Sequence, residues 1–266
     1  MGRLVHTLPQ VAGVTSLAGE IYLVRYDTER DHVEVYDVIT YSLQRRLTLP
    51  NAYSFTDITS CEHYRCVYIG EYSDECVHRL DVEGAVTQWP VNDSPDGLSV
   101  NASHNVLVTC PRVHIITEFS SHGERLRELT LPDDVIHPSH AIQTRTGQFI
   151  VCHGDDRVQR VCMISADGRH IVHSHGGRRG SDTGQYRVPC HLAVDDNEFV
   201  FVADHYNDRV TLLSPTLEYV RHVVSGDQLM GEHYRLYLDT QQRLLYVAVS
   251  ELKDGKLVGR VEVFSV

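Results

Sequence analysis

Lysine is almost missing from this sequence: Lys253 and Lys256 are the only two in 266 residues, and arginine supplies the other cations. The 24 basic side chains face 36 acidic ones, a formal charge of −12. Nucleic-acid affinity rests largely on neutralised phosphates, so this balance argues against RNA or DNA as the partner. No run of residues approaches the ~18 uninterrupted apolar positions of a membrane helix. The opening residues Met1-Gly2-Arg3-Leu4-Val5-His6 lack the apolar centre of a secretory signal. A cytoplasmic chain without membrane contact is therefore expected. None of the seven cysteines forms C-x-x-C, which argues against a zinc ribbon and for reduced thiols buried in strands. A Gly-x-Ser-x-Gly elbow is also missing. Helical periodicity is absent from any window longer than about ten residues.

What is present is a repeat. Its clearest copy contains Gly184-Gln185-Tyr186-Arg187-Val188-Pro189, the run Cys190-His191-Leu192-Ala193-Val194-Asp195, and Phe199-Val200-Phe201-Val202-Ala203-Asp204. Asn207-Asp208-Arg209-Val210-Thr211-Leu212-Leu213 completes it. Short apolar runs rich in Val, Phe and Leu, bounded by Asp, Asn, Gly or Pro, read as strands joined by tight turns. The same grammar recurs five more times. Third-strand positions align as Val33, Val77, Ile115, Val158, Val210 and Val261, at the roughly 40–50-residue period of four-stranded propeller blades. Outer strands are expected over 44–49, 85–91, 125–131, 170–174 and 219–224. The Gly-rich, basic stretch 176–184 reads as a loop.

The sixth unit ends on a third strand, and Arg3-Leu4-Val5-His6-Thr7-Leu8 resembles the outer-strand segment Arg45-Arg46-Leu47-Thr48-Leu49. The expectation is an all-β, six-bladed propeller of four-stranded antiparallel blades. It forms one domain over 1–266 and is closed by the N-terminal strand completing the last blade. Closure pairs edges that would otherwise stay open.

The fifth unit closely resembles the NHL repeat, and the fourth resembles it less closely; the other units share only the strand pattern. The resemblance implies scaffold roles for Asp204, Asn207 and Arg209, with Arg209 reaching a carboxylate of a neighbouring blade. It also implies a range of functions. Many such propellers lie at the C-terminus of tripartite-motif ubiquitin ligases and bind substrates or RNA. Related propellers include lyases and lactonase-type hydrolases with a metal on the axis. Fold alone chooses none of these. This chain has no cysteine/histidine cross-brace, so in a ubiquitin pathway it would supply substrate recognition.

Aligning the units puts Gly13, Asp57, Gly97, His140, His191 and Arg235 just ahead of the inner strands. This polar ring is the candidate binding site, with Asp57, His140, His191 and Arg235 contacting a protein or peptide at the mouth. Two imidazoles and a carboxylate also have the donor chemistry of a metal site, so His140, His191 and Asp57 are the candidate ligands of a metal-dependent hydrolase or lyase. Arg178, Arg179 and Arg187 form the basic cluster where RNA would be sought. The primary expectation is a monomeric interaction scaffold without a cofactor.

Overall fold

The computed structural model describes the chain except residues 1, 9, 27–30, 50–51, 92, 227–228, 230–231 and 254–255. For residues 2–8, 232–233, 251–253 and 256–257 it describes the backbone alone. Among the described residues twenty-four strands follow one another: β1 (Gly2–Leu8), β2 (Gln10–Leu17), β3 (Glu20–Tyr26), β4 (His32–Asp37), β5 (Leu43–Leu47), β6 (Phe55–Cys61), β7 (Cys66–Glu71), β8 (Cys76–Asp81), β9 (Val86–Pro90), β10 (Gly97–Val100), β11 (Val106–Cys110) and β12 (Ile115–Phe119). Then come β13 (Arg125–Thr130), β14 (Pro138–Gln143), β15 (Phe149–Gly154), β16 (Val158–Ile164), β17 (Ile171–Arg178), β18 (Pro189–Val194), β19 (Val200–Asp204), β20 (Arg209–Leu213), β21 (Tyr219–Ser225), β22 (Glu232–Asp239), β23 (Leu244–Lys253) and β24 (Lys256–Ser265). They form six four-stranded antiparallel sheets. Five are consecutive, and the sixth has the order β1-β24-β23-β22. The protein is a six-bladed β-propeller, and the expected closure is present: Gly2 pairs with Val263, Arg3 with Glu262 and Leu4 with Val261.

The burial pattern explains why these residues make blades. Middle strands such as β7 and β19 are buried at every position because a blade packs against a neighbour on each face. Outer strands such as β13 are exposed at all but one position. Apolar side chains accordingly gather between blades. Leu17, Tyr22 and Val35 of blade one meet Phe55, Ile58 and Ile69 of blade two. Val14 and Leu23 of blade one meet Tyr246 and Val261 of blade six across the closure.

Register corrects two of the aligned third-strand positions. Val33, Val77, Val210 and Val261 occupy one equivalent rung, whereas blades three and four place Ile116 and Val161 there. Ile115 and Val158 lie one and three residues earlier on their strands. The outer strand of blade four also runs further than expected. Gly176, Gly177 and Arg178 pair with Arg160, Gln159 and Val158 instead of opening a loop. All seven cysteines are buried and free.

Candidate functional site

The six ring positions share one rung. Gly13 pairs with Val24, Asp57 with Gly70, Gly97 with Thr109, His140 with Cys152, His191 with Ala203 and Arg235 with Ala248. Just before the ring residue of blades one, two, four and five the register shifts by one. Such a bulge bends the inner strand and re-aims the next side chain. Here it sends Asp57, His140 and His191 across the gap to the following blade.

Those side chains are buried, not presented at a mouth. Asp57 accepts the Leu98 N–H at 2.8 Å. His140 receives the Leu192 N–H on Nδ1 at 3.3 Å, which fixes its proton on Nε2, and Nε2 donates to the Leu98 carbonyl at 3.0 Å. His191 repeats the pattern one blade on: Nδ1 accepts the Leu236 N–H at 3.2 Å and Nε2 donates to Asp57 Oδ2 at 3.2 Å. The two imidazoles stack with centroids 3.8 Å apart. Arg235 is half-buried, with Nε 3.7 Å from Asp57 Oδ1 and Nη2 bonded to Asp96 and the Thr56 carbonyl. The result is a belt of hydrogen bonds across the axis that ties blades two through six together.

Close approach of the following blade explains the two glycines. A Cβ on Gly97 would lie 2.5 Å from the Ser139 carbonyl and 2.7 Å from the His140 ring. One on Gly13 would lie 2.9 Å from the Ile58 nitrogen.

Burial sets the charge states. It pushes His140 down to about 3, with the His191 ring adding to the effect. Burial and the Arg235 guanidinium hold His191 well below the ordinary imidazole value. Burial also raises Asp57, against the opposing pull of Arg235. As metal ligands, Asp57, His140 and His191 are close enough together, but the arrangement does not suit an ion. Each imidazole spends its lone pair on a backbone N–H, and Arg235 already supplies the cation facing Asp57. Coordination would leave buried N–H groups without acceptors. A cavity of about 250 Å³ borders the two histidines of this plug and is lined further by Thr15, Thr59, Ser60, Ser99, Ile142 and Leu238 among others.

The basic cluster stands apart from the axis. Arg178, Arg179 and Arg187 are exposed over blades four and five. Arg179 pairs with Asp156 at 2.9 Å, and Arg187 donates to the Tyr206 carbonyl at 3.3 Å. Arg209 does not reach a neighbouring blade as the repeat implied. It pairs at 2.9 Å with Asp204 of its own sheet, which also accepts the Asn207 amide and the Arg187 N–H.

A second feature was not singled out from the sequence. Tyr53, Tyr72, Val113 and Tyr206 are exposed on loops and turns of the face where the inner strands begin. The guanidinium of Arg112 lies 5.3 Å above the Tyr72 ring. Tyr53 and Tyr72 are held side by side, because the Tyr53 N–H donates to Glu71 and the Tyr72 N–H to the Ser54 carbonyl. An aromatic in a turn between strands was the available signal.

No family model matches the chain, and no curated protein does. The resemblance to NHL repeats thus remains one of motif. Solved structures share the fold. Virginiamycin B lyase from Staphylococcus aureus superposes with a TM-score of 0.66 at 10% identity, over 97% of this chain and 84% of that one. A streptogramin B lyase gives 0.68 at 9% identity, over 100% and 86%. The Cps50 (Swd1) β-propeller domain of Myceliophteria thermophila gives 0.62 at 12% identity, over 96% and 83%. At such identities the likeness is one of architecture and carries no activity across.

Proposed function

We propose that the chain is a non-enzymatic recognition module that binds a protein or peptide through the face where the inner strands begin. The observation behind this reading is the set of exposed tyrosines on that face, Tyr53 at 51%, Tyr72 at 46% and Tyr206 at 51%, with Arg112 stacked on Tyr72. Tyrosine and arginine are the residues that most often carry interface energy. Backbone bonds already hold Tyr53 and Tyr72 in place, so little freedom is lost on binding.

In this reading Asp57, His140 and His191 are positioning residues. They lock the blades whose loops make the contact, while Arg235 and Asp96 lie between plug and surface. Arg178, Arg179 and Arg187 extend the face toward acidic groups of the partner. Substrate recognition within a ubiquitin pathway is one role that such a module could fill.

The test is selection of a displayed random-peptide library on the whole chain. Tyr72→Ala should weaken the selected peptides about 30-fold, the effect of losing a hot spot of about 2 kcal/mol. Tyr64→Ala, on the opposite face, should leave them unchanged. Peptides that depend on Tyr64 and ignore Tyr72 would refute the reading.

A further inference from the structure

Each blade carries a column of three residues at its top edge: the one after the ring rung on the second strand, its partner on the third strand, and the residue two further on. In blade one these are Arg25, His32 and Glu34. In blade four they are His153, Arg160 and Cys162, in blade five Asp204, Arg209 and Thr211, and in blade six Val249, Arg260 and Glu262. Each of these four columns contains an arginine, whereas the column of blade three, Cys110, Ile115 and Thr117, holds neither an arginine nor a carboxylate. Where a column also holds a buried carboxylate, the two are paired: Arg25 with Glu34 at 2.7 Å, Arg209 with Asp204 at 2.9 Å and Arg260 with Glu262 at 2.8 Å. A carboxylate taken out of water needs such a counter-cation.

Blade two differs from all of these in holding a buried carboxylate without an arginine. Its column is Glu71, Cys76 and His78, all buried, and it has no arginine. The three residues share a face with Val67, Ile69 and Leu80, which pack on blade one. Glu71 Oε1 accepts the Tyr53 N–H at 2.8 Å, the same stapling of the incoming loop that Asp204 performs in blade five. Oε2 is left facing the other two side chains, 2.5 Å from His78 Nε2 and 3.5 Å from Cys76 Sγ; Sγ and Nε2 are 3.4 Å apart.

We propose that Glu71, Cys76 and His78 bind a divalent transition-metal ion of the zinc class, which takes the place of the missing arginine. Carboxylate, imidazole and thiolate together form a zinc donor set, and one water would complete four-fold coordination. The geometry is nearly formed. Ordinary zinc bond lengths at tetrahedral angles put S–N and S–O edges at about 3.6 Å and the N–O edge at about 3.4 Å. Two edges are already within about 0.2 Å of those lengths, and only the Glu71–His78 edge must open, by about 0.9 Å. On binding, the Cys76 thiol proton passes to solvent, and the proton between Glu71 and His78 leaves Nε2 for Nδ1 or for solvent, so that the Nε2 lone pair is free as the metal–ligand bonds form.

The experiment uses the full chain, stripped with a chelator and titrated with zinc chloride alone. One equivalent should remain bound in native mass spectrometry. Cobalt(II) in its place should give the thiolate charge-transfer absorption. Cys76→Ser and His78→Gln should each weaken zinc binding by at least about 100-fold, and Cys76→Ser should abolish the cobalt band, whereas Cys61→Ser, another buried thiol, should keep both. Should the blade-two variants not fold, the wild-type chain still decides. Its thermal midpoint should rise with zinc and fall back with chelator. A folded wild-type chain that retains no metal, or a cobalt band that survives in Cys76→Ser, overturns the proposal.

Discussion

Acid should unfold this protein through its buried histidines before its carboxylates titrate. His140 is held down to about 3 and His153 to about 4, chiefly by burial, and His191 lies well below the ordinary value. In the unfolded chain each returns to about 6.5. As pH falls below that value the unfolded state takes up protons that the folded state refuses, so stability present above 6.5 is progressively lost. At pH 5 the loss is about 2 kcal/mol per histidine, or about 6 for the three. Asp57 acts in the opposite sense, because a carboxyl raised in the fold gains its proton there first. It offsets at most about 2 kcal/mol. His175 and His222, lowered by burial but more exposed, add to the loss by smaller amounts. Because part of that loss has already occurred at pH 6.5, the net loss between pH 6.5 and 5 is about 3 kcal/mol, a large share of the ~5–15 kcal/mol of a typical domain. Carboxylates held low, such as Glu34 and Glu118, weaken the fold only at lower pH, so this window isolates the histidines. Urea unfolding followed by the fluorescence of Trp89, which is buried against Tyr68 and Phe119, reads the change directly. With chelator present, the midpoint should fall by about 1 M urea over that pH range. Replacing His140 and His191 by Gln should lower stability at pH 7 and flatten the pH dependence. A midpoint independent of pH between 6.5 and 5 would refute the assignment of neutral, lone-pair-spent imidazoles.

The ring closure and the blade-five latch give two further predictions. Deleting residues 2–8 removes the outer strand of blade six and about four ladder hydrogen bonds, near 1 kcal/mol each. Calorimetry should show the melting temperature down by about 10 °C, and light scattering should show association through the bared edge of β24. Asp204→Ala leaves Arg209 buried without its carboxylate. It should cost about 3–5 kcal/mol by urea unfolding, and a loss under about 1 kcal/mol would mean that the Ser181 and Gln185 carbonyls, which also accept from Arg209, suffice for it.

The ring of blades was legible because it rests on local patterns: short apolar runs, turn residues, and a terminal segment that resembles an outer strand. The equivalence of Gly13, Asp57, Gly97, His140, His191 and Arg235 was legible for the same reason. Their exposure was not. Whether an imidazole faces solvent or a backbone N–H depends on a bulge before it and on the blade after it, and neither is written in the local sequence. Ile115 and Val158 were misplaced because a strand with several adjacent apolar residues gives no unique register. The blade-two column, with a carboxylate and no arginine, was hidden because its members acquire meaning only beside the equivalent columns of the other blades.

The plug and the tyrosines support one another. Hydrogen bonds from Asp57, His140 and His191 to the following inner strands leave no free lone pair on either imidazole, so the axis is poorly equipped for acid–base chemistry. The same bonds fix the relative rotation of blades two through six, and rotation between blades is the freedom that would otherwise blur a binding face built from several loops. Gly97 belongs to this arrangement. Its missing Cβ lets His140 close on Leu98, and the histidine could not brace blade three if the glycine carried a side chain. Rigidity at the axis is thus obtained by committing these side chains to backbone partners, which fits the recognition role proposed above.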